Sequence, residues 1–289
     1  MIAVSIVSYN TSSLLSKLLE NLYAQKNVQP EIWVLDNNSV DNSVDMIKKN
    51  FPKVNLIESK ENTGFAKGQN ILLKKIDSPF ILILNPDTDL EVNALSKMLK
   101  FMEENPEVGI SSCKILDIKG NLTSNGGDLP FRRYLLSWLF NFDKPNTPSF
   151  HRADKSFYNS KNVGWIGGTF MLIRKEVLEK AGYFNEDYFM YFEDVEFCYK
   201  AGQKNYQLRF HPDLKITHLS GASSKNPRYN QWKGEMQGLI KFSYKNFGVL
   251  YGLYVSFLVR IAIILRIISF AVLGKLDYSG IYTKVLMHL

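Results

Sequence analysis

Cysteine is nearly absent. Cys113 and Cys198 are two in 289 residues, too few for a disulfide framework, and both are expected as buried, reduced thiols. No Cys/His spacing suits zinc. No glycine loop is followed by Gly-Lys-Ser/Thr, and Gly-x-Gly-x-x-Gly is missing, which excludes a Walker loop and a dinucleotide fingerprint. Met1–Ser8 carries no basic residue ahead of its apolar run. It therefore reads as a strand rather than a signal peptide, and the bulk of the chain is expected in the cytoplasm. There is no internal repeat and no low-complexity segment. No uncharged apolar run reaches the ~20 residues that span a bilayer.

What is present is a globular composition, 45% hydrophobic and 22% charged. The net charge of +7 is uneven. From Lys241 onward six Lys/Arg face one acid, Asp277, so +5 falls in the last 49 residues. Residues 246–274 are strongly apolar, broken by Arg260 and Arg266, and Phe247–Val259 is an uncharged run of 13. A basic, apolar tail suits anionic lipid better than nucleic acid, for which no reader motif or aromatic-basic pattern is present. An arginine near mid-membrane costs about 2.5–3.5 kcal/mol on insertion scales. A helix lying in the interface through residues 241–275, with Tyr251, Tyr254, Phe257 and Phe270 in lipid, is the expectation. The alternative is a helix packed on its own domain or on a second subunit.

Ahead of the tail, strands alternate with helices. Strands are expected at 2–8, 31–36, 54–58 and 80–84, and helices after Asn10, near 41–50, after Asn62 and at 91–104. That alternation predicts α/β architecture with a mostly parallel sheet. Residues 114–126 read as a hairpin, and 129–162 as a long irregular segment with a functional or mobile role. A strand from Trp165 to Ile173, short helices at 175–181 and 195–201, and two strands near 206–210 and 215–219 follow.

Two acidic segments carry the chemistry. The strand Ile81–Leu84 runs into Asn85-Pro86-Asp87-Thr88-Asp89, and Phe189-Met190-Tyr191-Phe192 runs into Glu193-Asp194. Acids at the carboxyl edge of such a sheet lie where open α/β folds bind ligands. Asp87 is a candidate ligand for a hard divalent cation beside a diphosphate. Asp194, or Glu193, flanked by aromatics, is a candidate general base whose pKa burial would raise. Asp36 ends the second strand and can accept the N3–H of a uracil or thymine. Asn62-x-Gly64-Phe65-Ala-x-Gly68-x-Asn70 opens a helix whose N-terminus favours phosphate. His218 ends the last strand and is a candidate metal or diphosphate ligand. Each has a plain alternative: Asp36 as a helix cap, Asn85–Asp89 as a turn, Glu193–Asp194 as a solvated helix start, His218 as structural.

Taken in order, these segments resemble a known family. Val4-Ser-Ile-Val-Ser8-Tyr9-Asn10, Val34-Leu-Asp36-Asn-Asn38-Ser-Val-Asp41, the Asn62–Asn70 segment, Leu84-Asn85-Pro-Asp87, Gly167-Gly168 with Phe170, and Tyr191-Phe-Glu193-Asp194-Val-Glu-Phe-Cys-Tyr together look like a family 2 glycosyltransferase. The likeness is to the rhamnosyltransferase-like branch with the GT-A fold, and it covers about residues 2–222. It implies a domain from 1 to 235 and a C-terminal helical membrane-association segment from 236 to 289. It implies that Ser8, Tyr9, Asn10, Asp36 and Asn38 line a nucleoside pocket. Gly64, Phe65, Asn70, Asn85 and Asp87 would complete the donor side, and Trp165, Gly167 and Gly168 would border the acceptor. Asp87 would be the last acid of an Asp-x-Asp motif whose first acid is Asn85 here, binding Mg²⁺ or Mn²⁺ with His218. Asp194 would be the base, with Glu193 beside it.

The resemblance further implies an inverting transfer from a dTDP- or UDP-linked sugar, rhamnose favoured, to a lipid-linked or growing cell-surface glycan, at the inner face of a bacterial or archaeal membrane. A homo-oligomer is left open. A sugar-1-phosphate nucleotidyltransferase would need a glycine-rich, basic loop after the first strand, where Ser8-Tyr-Asn-Thr-Ser-Ser13 stands. A non-catalytic sugar-nucleotide-binding or membrane-docking module would not need both Asp87 and Asp194.

Overall fold

The computed structural model describes residues 1–140, 149–159, 162–219 and 227–289, with backbone only at 132, 133, 155, 156 and 227. The first half reads β1 (Ile2–Ser8), α1 (Ser12–Tyr23), β2 (Glu31–Asp36), α2 (Ser43–Asn50), β3 (Asn55–Glu58), α3 (Gly64–Leu73), β4 (Phe80–Leu84), β5 (Thr88–Leu90) and α4 (Ala94–Glu104). Next come β6 (Val108–Leu116), β7 (Leu122–Thr123), β8 (Gly126–Gly127), α5 (Arg132–Phe140), α6 (Lys155–Tyr158), β9 (Trp165–Ile166), β10 (Phe170–Arg174), α7 (Lys175–Ala181), α8 (Glu193–Gln203) and β11 (Gln207–His218). Three helices close the chain: α9 (Pro227–Phe247), α10 (Val249–Val272) and α11 (Leu276–Met287).

The large sheet runs β3-β2-β1-β4-β10-β6-β11-β5, with β7 on β6. It divides two cores. Along β1, Ile2, Val4 and Ile6 face one and Ala3 the other, the continuous apolar pattern of a strand covered on both faces. The expected parallel pairing holds from β3 to β4 and between β6 and β11. It fails at β10, which is antiparallel to both β4 and β6, and β5 opposes β11. The sheet is therefore mixed. β10 follows β9, a strand of the small β8–β9 sheet, directly through the Gly167–Thr169 turn.

Elsewhere the expectations meet local detail. The hairpin is β6–β7, closed by Asp117 Oδ1, which accepts the N–H groups of Lys119 and Asn121 at 2.8 Å each. The two expected late strands are one, β11, with its register shifted between Phe210 and Lys215, around Pro212. The segment 129–162 contains α5 and α6, and its residues 141–148, 160 and 161 lie outside the described ones.

The C-terminal helices share the core of the sheet's second face. Val255, Val259, Ala262 and Tyr282 belong to one buried cluster with Trp138, Phe150 and Phe192. The boundary expected at 235 falls inside α9. Helix α9 sits close because it carries glycines: a Cβ on Gly234 would stand 2.6 Å from Tyr191 Cδ2, and one on Gly238 2.4 Å from Phe192 Cβ. Arg266 donates to Trp138 O at 3.0 Å, and Arg260 donates to Leu289 O at 2.7 Å and to Ser256. By length and composition α10 is able to cross a membrane.

Because Phe192 is buried and cannot retreat, Gly238→Val is expected to lower unfolding free energy by about 1–3 kcal/mol. Urea denaturation reads this. An unchanged midpoint would mean α9 does not rest on Phe192 as described.

Candidate active site

The site lies where β1, β2 and β4 end. Ser8 is buried, with its hydroxyl 2.9 Å from Thr11 Oγ1. Asn10 takes a left-handed φ of 54°. Its N–H donates to Ser39 Oγ at 2.9 Å, and its Oδ1 accepts Val40 N–H at 2.8 Å. The first and second strand-end loops are thus tied together. Asp36 is buried; Oδ2 accepts Ser39 N–H at 2.9 Å, while Oδ1 is buried with no hydrogen-bond partner. A buried acceptor without a donor is uncommon and invites one from a ligand. Tyr9 is partly accessible and Asn38 is exposed, with φ 66°.

The α3 end is built differently from expectation. Asn37, which the sequence reading passed over, accepts Thr63 N–H at 2.9 Å and donates to Asn62 Oδ1 at 3.0 Å, fixing that loop. Gly64, with φ 77°, makes room for protein: a Cβ there would lie 2.3 Å from Phe189 O, which also accepts Phe65 N–H at 2.7 Å. The first turn of α3 thus meets the Phe189 carbonyl rather than offering that N–H to a phosphate. Asn70 is a latch. Its amide donates to Phe184 O and Glu186 Oε1 at 2.9 Å each and accepts Phe184 N–H at 3.1 Å. Its polar atoms hold the 184–186 loop. Phe65 closes on Gly168, where a Cβ would stand 2.8 Å from its ring.

Asp87 and His218 do meet. In the β5–β11 register His218 pairs with Thr88, and this brings His218 Nε2 to 3.1 Å from Asp87 Oδ1. Leu219 N–H also donates to Asp87 O at 3.0 Å. Asp89 points elsewhere: it is exposed and accepts from Asn21 at 3.0 Å. Among the described residues no group of three His, Cys, Asp or Glu gathers to hold a metal. The donor set is one carboxylate and one imidazole, which fits a divalent cation whose remaining ligands are phosphate oxygens and water.

Glu193 and Asp194 open α8. Tyr191 and Phe192 before them both adopt left-handed φ, 71° and 78°, a conformation that costs non-glycine residues on the order of 1–3 kcal/mol each and collects at functional sites. Glu193 is buried and its Oε2 has no partner. Burial first, then the charge of Asp194, push its carboxyl well above the usual range. Asp194 Oδ2 accepts Gly168 N–H at 3.1 Å and Oδ1 accepts its neighbour Val195 N–H at 2.8 Å. Burial pushes its pKa up to about 6, and those amide bonds oppose the rise. The next acid, Glu196, is a hub: Tyr188 Oη donates at 2.7 Å, and Lys200 lies at 2.9 Å and Lys245 at 3.3 Å.

The two acidic segments join through one turn. Gly168 N–H binds Asp194, and the next residue, Thr169, accepts Asn85 N–H at 3.0 Å through its carbonyl. Asn85 leads directly to Asp87. Gly167 gives space to Asn125, whose Oδ1 would be 2.5 Å from a Cβ. Trp165, expected beside the acceptor, is a core side chain: its ring stacks 5.0 Å from Phe150, and its indole N–H donates to Phe150 O at 2.8 Å. His151, which the sequence did not single out, stands edge-on to Trp165 with ring centres 5.6 Å apart, and Glu235 lies 3.6 Å from it. Their signal was weak, since they sit in an irregular segment and a tail helix.

Residues 3–182 match the family model described as glycosyl transferase family 2. The chain is 22% identical over 239 residues to N-acetylglucosaminyl-diphospho-decaprenol L-rhamnosyltransferase of Mycobacterium tuberculosis, covering 78% of each. It is 26% identical over 239 residues to rhamnosyltransferase WbbL of Escherichia coli, covering 78% of this chain and 86% of that one. Its fold is similar to that of mannosyltransferase PcManGT from Pyrobaculum calidifontis, solved with GDP-Man and Mn²⁺, with TM-score 0.61, 16% identity, and 99% and 86% of the two chains covered. Staphylococcus aureus TarS 1–349 with UDP follows with TM-score 0.54, 17% identity, and 90% and 70% covered.

Folded-state pKa values raised above the unfolded ones, 4.5 for Glu193 and 3.8 for Asp194, leave stability full below those unfolded values. It is lost as pH rises through the folded ones. Glu193→Gln should therefore gain stability over wild type as pH goes from 5 to 8, read by urea melts. An equal difference at both pH values would contradict the buried-acid account.

Proposed function

The chain belongs to glycosyl transferase family 2, and from that premise we propose that it moves a sugar from a nucleoside diphosphate donor to a hydroxyl with inversion, using Asp194 as the base. The observation that carries this reading is the Gly168–Thr169 turn, which binds Asp194 on one side and the Asn85–Asp87 segment on the other. Base and diphosphate side then share one sheet edge.

The roles follow from the local chemistry. Asp36 offers Oδ1 to a pyrimidine N3–H, with Ser8, Tyr9, Asn10 and Asn38 around it, which favours dTDP or UDP. Asp87 and His218 would hold Mg²⁺ or Mn²⁺, with Asn85 beside them. The ion, when bound, offsets charge on the departing diphosphate. Asp194 takes the proton from the acceptor hydroxyl as its oxygen bonds to the anomeric carbon and the bond to the diphosphate oxygen breaks. The Gly168 N–H keeps the Asp194 carboxylate oriented. Glu193, whose carboxyl burial and then the charge of Asp194 push well above the usual range, resists becoming a second charge beside Asp194. One base and no covalent nucleophile give inversion.

Rhamnose is the favoured sugar, because two of the rhamnosyltransferases cover most of their own length with this chain. The acceptor we propose is a lipid-linked or cell-surface glycan, reached from the cytoplasmic face. Leu253, Tyr254, Phe257, Ile264, Leu265 and Ile268 form an exposed apolar side of α10, while Arg260 and Arg266 bind this chain's own carbonyls. A helix fixed to its domain along one side and apolar on the other suits lying in the interface.

With a donor identified by released nucleoside diphosphate in the presence of Mn²⁺, Asp194→Asn should keep donor affinity and lose turnover by ~10² or more. Unchanged turnover would remove Asp194 from the role. Leu253→Glu combined with Phe257→Glu should reduce cosedimentation with anionic vesicles by on the order of tenfold or more. Equal recovery with the vesicles would contradict the lipid-facing side of α10.

A further inference from the structure

Helix α9 meets the segment that carries the catalytic acids along one face. Gly234, Gly238, Lys241 and Lys245 follow one another at spacings of four, three and four, which puts them on one side of a helix. Each touches that segment. Gly234 lies on Tyr191 and Met190 O, and Gly238 on Phe192. Lys241 donates to Asp187 O at 2.5 Å, and its ammonium stands 5.3 Å from the centre of the Tyr188 ring. Lys245 Nζ lies 3.3 Å from Glu196 Oε1.

The two lysines complete a closed circuit of contacts. It passes from Lys241 to Tyr188, whose hydroxyl donates to Glu196 Oε2 at 2.7 Å, and returns from Glu196 to α9 at Lys245. Between Tyr188 and Glu196 lie the left-handed Tyr191–Phe192 turn and Asp194 itself. Glu196 N–H also donates to Phe192 O at 3.0 Å, which ties the circuit to the turn. A turn of this kind persists only where its surroundings over-determine it.

Neither lysine is needed to seat the helix. Met236, Leu239 and Phe242 are buried, and the Phe242 ring lies 5.7 Å from that of Phe192. Neither is needed to balance a charge, since Asp187 offers a backbone carbonyl and Glu196 already has Lys200 of its own helix at 2.9 Å. What they add is a hold on both ends of the segment, ahead of the strained turn and beyond it. We propose that Lys241 and Lys245 are positioning residues that keep the Tyr188–Glu196 segment, and with it Asp194, in place against Gly168. Helix α9 is then part of the catalytic unit rather than an appendage to it. The consequence for turnover rests on Asp194 being the base; the placement of its carboxylate does not.

The test is NMR of the full chain labelled with ¹⁵N-glycine. Gly168 N–H donates to Asp194 Oδ2 at 3.1 Å, so its amide resonance reports where that carboxylate sits. Gly168→Ala identifies the resonance, and Asp194→Ala gives its position with the bond lost. With Lys241→Met and Lys245→Met together, the Gly168 amide proton should move toward the Asp194→Ala position. With Lys241→Arg and Lys245→Arg it should stay at the wild-type position, because a cation remains at each place. A lower global stability reduces the folded fraction without moving the folded resonance. The methionine variant should also lose turnover by about tenfold or more at unchanged donor affinity, as expected when a reacting group is misplaced. A Gly168 resonance unmoved by methionine, or moved equally by arginine, overturns the proposal. A moved resonance with full turnover keeps the positioning role and overturns Asp194 as the base.

Discussion

Everything at this site depends on holding two adjacent carboxyls, one buried and one partly accessible, at the start of α8. Ionising both there is unfavourable, since Glu193 loses hydration and the two charges repel each other. The fold sustains the arrangement by fixing the backbone before it. Tyr191 and Phe192 are left-handed in succession, and they stay so because Gly234 and Gly238 let α9 close over them. The result is a division of labour. Glu193 is buried without a partner on Oε2, and Asp194 is partly accessible and held by Gly168 and Val195. Neighbouring acids in unlike surroundings are how one carboxyl stays neutral and another serves as a base.

The mixed sheet explains how this pair meets the donor side. Had β10 been parallel, its start would lie at the opposite edge from the end of β4. Because it is antiparallel, Phe170 sits across from Leu84, and the Gly167–Thr169 turn arrives at the edge where Asn85–Asp87 emerges. The same logic sets β5 against β11 and brings His218 to Asp87. Two reversals of strand direction, each short, assemble parts roughly a hundred residues apart in sequence.

Much of this was legible in the residues. The β-branched run of β1, the acids that end β2 and β4, and the aromatic lead into Glu193 announced strand ends and the site they border. The ordered set of motifs matched the family. What stayed hidden were tertiary facts. Asn70 reads like a ligand-contacting amide in a glycine loop, yet its partners, Phe184 and Glu186, are more than a hundred residues away. Gly64 and Gly168 signal close approach, but the sequence does not say that Phe189 and Phe65 approach them. The resemblance sets Trp165 at the acceptor border, and its side chain is buried against Phe150, which lies in a segment with no periodicity. The seat of α9 is hidden for the same reason: a tail helix read by its apolar content gives no hint that Gly234 and Gly238 rest on Tyr191 and Phe192.

The most direct test of the account is a crystal structure of the protein with a pyrimidine nucleoside diphosphate and Mn²⁺, with the ion located by anomalous scattering. The account predicts the ion on Asp87 and His218, the base ring on Asp36, and the diphosphate end open toward Asp194. A nucleotide bound elsewhere, such as the hollow lined by Met1, Asn27 and Glu103 at the opposite sheet edge, would contradict it.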